Sequence, residues 1–147
     1  AIVYGLRHRL SPGLLADAVA PGAALALVIG GVGAFLGSQR LGAPTALPWG
    51  IEQFDAVRHP AHLYQTLATL LVLAIVWRVR RASHRPGFCF LLFVALYAGT
   101  RLLLEPAFAM PVTTGGGFRL VQVSALAATV VALTGMAWLD KPYAVKH

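Results

Sequence analysis

The sequence predicts an all-α integral membrane protein: four full transmembrane helices plus an N-terminal apolar stub. Three observations carry this. Of the 147 residues 58% are hydrophobic and only 12% are charged, against about 25% charged in a soluble domain. Mean hydropathy is +0.72, and four apolar runs each approach the ~20 residues that a helical span needs. Finally, the basic residues behind the net charge of +7 stand at the ends of those runs. That distribution reads as loop topology and not as a nucleic-acid surface. The single cysteine, Cys89, lies inside an apolar run and reads as a buried, inert thiol. The histidines form no HxxxH or HExxH pattern, so neither a metal site nor a cofactor is expected.

Residues 1–147 read as one polytopic domain. Ala1–Leu6 is an apolar stub too short to span, followed by the basic turn Arg7, His8 and Arg9. Ser11 and Pro12 form a helix start, with Ser11 as N-cap and Pro12 in the first turn. The first span covers about 14–36; Pro21 is expected to break it, and Gly30, Gly31 and Gly33 are expected to pack against another helix. Between Gly37 and Pro60, the prolines, Trp49 and mixed charges predict a structured segment at the membrane surface. Further spans follow at about 61–79, 87–105 and 120–139. A turn containing Pro106, Pro111 and Gly115–Gly117 joins the last two, and the tail carries Lys141 and Lys146.

One set of loops holds Arg7, Arg9, Arg78, Arg80, Arg81, Arg85, Lys141 and Lys146, whereas the other holds only Arg40, Arg58 and Arg119. The rich set is expected to be cytoplasmic, which puts the C-terminus inside. The 37–60 loop, the end of the third span and the glycine turn then share the outer face.

Arg101 and Glu105 stand out at that face. Their i,i+4 spacing puts them on one side of a helix, able to pair. Two readings follow: a cap at headgroup level, or an inward-facing site, since ionisable groups at membrane depth usually turn into the bundle. Arg58 and His59 approach the same face, and arginines with a histidine suit an anionic phosphate.

Arg58-His59-Pro60-Ala61-His62-Leu63-Tyr64-Gln65 resembles the Arg-His-Pro-Ser-Gln-Leu-Tyr-Glu motif of the bacterial prolipoprotein diacylglyceryl transferases. Tyr97, Gly99 and Arg101 through Glu105 are similar to the arginine and glutamate that the family carries late in a membrane helix. Asp17, Ala20, Pro21, Gly30, Gly33, Phe35, Gly42, Pro44 and Thr45 track its signature helix and the stretch after it, and Gln122 with Ser124 falls where its last helix begins. The likeness covers nearly the whole chain but only the second half of a family member. It implies a bacterial cytoplasmic-membrane protein, and a transfer of diacylglyceryl from phosphatidylglycerol to the lipobox cysteine of a prolipoprotein. Arg101, Glu105 and His59 would then be catalytic, and Arg58, His59, Tyr64 and Arg101 would bind the lipid phosphate.

The departures fall on polar positions. Gly31 and Ala34 stand where the signature Gly-Arg-Ile-Gly-Asn-Phe has arginine and asparagine, and Gly37, Gln39 and Ala43 replace an asparagine, a glutamate and an arginine. His62 and Gln65 replace the motif's glutamine and glutamate, and Phe108 takes the place of a second arginine. Lost preorganised charge contacts commonly cost on the order of 10²–10³ each in rate. The expectation is therefore a catalytically impaired relative that binds a phosphatidylglycerol-like lipid or serves as a subunit beside other membrane proteins. The alternative is an active transferase.

Overall fold

The structure is a computed structural model that describes residues 11–82, 84–109, 113 and 119–140. The stub, the basic turn at 7–9, the glycine turn at 115–117 and the lysine tail lie outside the described residues. Four helices, α1 (Pro12–Leu36), α2 (Ala61–Val79), α3 (Phe88–Leu104) and α4 (Leu120–Leu139), are long and apolar enough to cross a membrane. A 3₁₀ turn, Glu105–Ala107, extends the apolar stretch of α3 to Ala107. No more than 28% of the most apolar window of any span is buried. Side chains such as Leu67, Leu71 and Val131 face outward, an arrangement stable in lipid and not in water.

Helix α1 starts as its sequence dictates: the Leu14 N–H donates to Ser11 Oγ at 3.4 Å, with Pro12 next to the cap. It does not break at Pro21. The helix runs on to Leu36, with Ala20, Pro21 and Ala24 buried. Proline forfeits one backbone bond, but this face packs against Val72 and Val76 of α2 and Phe93 of α3, which form the core with Ala20 and Ala24. The glycines divide likewise. A Cβ on Gly31 would collide with Thr66 Oγ1 of α2, whereas Gly30 and Gly33 have open space beside them. Residues 30 and 33 share a face at the helical period and residue 31 lies about 100° away, so only Gly31 meets the neighbour.

A short β-hairpin, β1 (Ile51–Gln53) and β2 (Ala56–Arg58), interrupts the helical pattern, with Ile51 opposite Arg58 and Gln53 opposite Ala56. Its two-residue turn, Phe54 and Asp55, is left-handed at both positions (φ 50° and 59°), as the twist of a tight hairpin requires. The preceding segment, 41–45, is held from both sides. Ala43 N–H donates to Ala107 O (2.8 Å) and Ala109 N–H to Leu41 O (2.9 Å), while His59 N–H donates to Ala43 O and Thr45 N–H to Val57 O (both 2.9 Å). Gly42 is required here, because any Cβ would strike the His59 carbonyl. The loop, the hairpin and the end of α3 thus form one hydrogen-bonded layer at one end of the helices.

At the other end, Asp17 of α1 reaches the start of α3. Its Oδ2 accepts from Gly87 N–H (2.7 Å) and its Oδ1 from Phe90 N–H (2.8 Å). An acid inside a membrane span therefore serves as a tertiary N-cap, satisfying donors that lipid could not. Asp17→Ala is expected to destabilise the protein by about 1–2 kcal/mol, the usual worth of a cap. Thermal unfolding in detergent should show it, with Asp17→Asn retaining part of the loss.

Candidate functional site

At the loop-bearing end the Glu105 side chain is fully buried and gives one oxygen to each of two arginines. Arg40 Nη2 donates to Oε1 at 2.9 Å and Arg101 Nη2 to Oε2 at 3.2 Å. The expected Arg101–Glu105 pair is therefore present and inward-facing. Arg101 comes from the last turn of α3 and Glu105 from the 3₁₀ turn that follows, so the i,i+4 spacing survives the change of helix type. Arg119, at the start of α4, adds a bond from Nη1 to the Glu105 carbonyl at 3.4 Å.

Arg40 and Arg119 are the residues that sequence reasoning missed. Both belong to the few basic residues on the otherwise basic-poor side, which was the available signal. Local spacing alone, however, cannot link residue 40 to residue 105. Phe108 provides the floor: it is 2% exposed, with the Arg40 and Arg101 guanidiniums 4.5 and 5.4 Å from its ring centroid and the His62 ring edge-on at 5.1 Å. Phe108 thus holds two arginines over its face.

The remaining candidates form a neighbouring group. His59 Nδ1 lies 3.4 Å from Tyr64 Oη, which also accepts from Trp49 Nε1 at 2.9 Å. Arg58 directs Nε to Gln53 O (3.2 Å) and Nη1 to Gly42 O (3.3 Å), so it braces the hairpin against the 41–45 segment. His59 shares a small cleft with Arg40 and His62, whereas Arg101 opens onto a different space. That space is a largely apolar groove of about 340 Å³ between α3 and α4, lined by Val94, Tyr97, Arg101, Val121 and Ala128 among others. A larger groove of about 590 Å³ lies between α1 and α2 at the end bearing Arg78 and Arg81, remote from Glu105.

The two guanidiniums that share the carboxylate exceed it by one positive charge, and Arg119 at the Glu105 carbonyl adds another. Arg40 and Arg101 keep 29% and 20% of their side chains exposed while Glu105 fixes their position. Such a cluster suits an oxyanion whose attached chain is apolar.

A family model described as prolipoprotein diacylglyceryl transferase matches residues 1–138. The chain belongs to the prolipoprotein diacylglyceryl transferase family. Among its relatives are proteins named phosphatidylglycerol–prolipoprotein diacylglyceryl transferase. That of Streptomyces coelicolor, numbered 2, is 39% identical over 110 residues, covering 67% of this chain and 35% of the relative. Those of Mycobacteroides abscessus and Cutibacterium acnes are each 32% identical, covering 84% and 96% of this chain and 42% and 51% of theirs. The chain thus spans about half or less of the transferases it matches. In this chain Arg101 and Glu105 form an ion pair, and Gly31 and Phe108 are packed positions.

Removing the shared carboxylate should harm the protein more than removing it together with one arginine. Glu105→Ala strands two guanidiniums, and breaking a buried pair costs roughly 3–5 kcal/mol. Thermal melts should rank Glu105→Ala below Arg101→Ala/Glu105→Ala. Equal or reversed ranking would mean that water already solvates the cluster.

Proposed function

We propose that the protein is a phosphatidylglycerol–prolipoprotein diacylglyceryl transferase in which Arg101 and Arg40, anchored on Glu105, hold the lipid phosphate. The observation that carries this reading is a pair of part-exposed arginines sharing one buried carboxylate, with Arg101 also lining a largely apolar groove of about 340 Å³. The names of the relatives supply the substrate class. In the reaction the lipobox thiol loses its proton, a sulfur–carbon bond forms to the glyceryl group, and the ester carbon–oxygen bond breaks. The oxygen departs on the phosphate with the electron pair, and fixed positive charge beside it lowers the barrier. His59, hydrogen-bonded to Tyr64, is the nearby group able to take a proton.

A second reading, a lipid-binding subunit without transfer, draws support from Gly31, whose place against Thr66 leaves no room for a side chain, and from the burial of Phe108. The relatives' names favour transfer, and the first reading is preferred. The purified protein, given phosphatidylglycerol and a lipobox peptide, should form thioether product, and Arg101→Ala should lower the rate by about 10²–10³. Retained lipid with no product would select the second reading.

The protein is a multi-pass bacterial membrane protein. The proposed orientation puts the Arg78–Arg85 end and the C-terminus in the cytoplasm and the Glu105 end outside. Cysteines introduced at Ala46 and Ala82 and exposed to an impermeant thiol reagent in intact cells should label at 46 and stay silent at 82. The reverse pattern would invert the topology.

A further inference from the structure

The groove between α1 and α2 lies at the end of the bundle away from Glu105 and shares no residue with the charge cluster there. Gly22 and Leu25 of α1 form one wall and Leu70, Ala74 and Trp77 of α2 the other, around about 590 Å³ of free space. Spacings of three and four put the α2 residues on one stripe. From Leu70 to Arg78 that stripe rises about 12 Å, most of the roughly 15 Å of hydrocarbon in one leaflet. The groove stops short of the contact between Gly31 and Thr66, where α1 and α2 approach closely. A transmembrane helix would need a seat along the whole span, whereas an acyl chain of one leaflet needs only this half.

Arg78 and Arg81 line the same groove at its end, three residues apart on the α2 stripe. With Trp77 they mark the depth at which head groups meet the hydrocarbon. Neither arginine side chain has a hydrogen bond or ion pair with a described residue. Among the described residues no acid lines the groove, and Asp17 of α1 is committed to the Gly87 and Phe90 amides. Two unanswered guanidiniums beside an apolar channel match a ligand with a phosphate at one end and a hydrocarbon chain behind it. Left empty, the walls would lack the contacts that a chain supplies.

We propose that this groove binds an anionic phospholipid of the leaflet opposite the Glu105 cluster, with its phosphate on Arg78 and Arg81 and one acyl chain between α1 and α2. The site stands independently of the transferase reading, and no bond of this lipid is made or broken.

The test is photo-crosslinking of the purified, delipidated protein with phosphatidic acid that carries a diazirine in one acyl chain, followed by peptide mapping. Phosphatidic acid has no further head group, so it reports phosphate and chain alone; phosphatidylcholine with the same labelled chain is the control. Phosphatidic acid should label residues 22–25 and 70–77 more strongly than phosphatidylcholine does. Arg78→Gln/Arg81→Gln should weaken that labelling about thirtyfold in apparent affinity, the usual worth of two juxtamembrane arginines, and Arg78→Lys/Arg81→Lys should keep most of it. Gly22→Leu, whose Cβ meets nothing within 4 Å, should block the chain without touching a charge, and it supplies a second route if the glutamine pair does not fold. Arg101→Ala should leave labelling of the groove unchanged. Equal labelling by phosphatidylcholine, or labelling indifferent to both the glutamine pair and Gly22→Leu, would overturn the inference. So would an unlabelled groove together with protein dimers that Gly22→Leu abolishes in native mass spectrometry, since the occupant would then be a helix of a second copy.

Discussion

A single buried carboxylate organises the loop-bearing end of this protein. Glu105 has no exposed side-chain surface, and a charge in that position persists only if every oxygen is answered. The answers come from different parts of the chain: Arg101 one turn earlier, and Arg40 from 65 residues away. Arg40 reaches Glu105 because segment 41–45 is stitched to the 107–109 turn on one side and to the hairpin on the other. The hairpin holds that segment partly through Arg58. The electrostatics of one residue and the backbone bonding of three segments therefore depend on one another.

The site's chemistry follows from this dependence. Arginines that must neutralise a buried acid are not free to wander, so the donors they leave exposed are already oriented. Orientation set in advance is what distinguishes an anion site from a merely basic surface. Phe108 contributes by filling the floor with an apolar face over which both guanidiniums lie.

The helices were legible because hydropathy and length are local properties: α2 and α4 begin and end where the apolar runs do. Pro21 was misjudged because a proline's cost is local while the packing of Ala20 and Ala24 that offsets it is not. The hairpin was hidden because its turn uses Phe54 and Asp55 and lacks the usual glycine. Half of the charge cluster could be read, since Arg101 and Glu105 lie one helical turn apart. Arg40 could not, because only tertiary pairing of a loop with the end of α3 joins it to them. Arg58 and Tyr64 have the right chemistry for a phosphate, yet their visible bonds run to Gln53, Gly42, Trp49 and His59, a distribution that composition does not reveal.

The contact between Gly31 and Thr66 couples two positions on different helices. Thr66 Oγ1 is tied to the His62 carbonyl at 2.7 Å, so it cannot swing aside without giving up that bond. Any side chain placed at position 31 would meet this hydroxyl at its first carbon, so a larger residue there fits only with a smaller one at 66, and the two positions can change size only together.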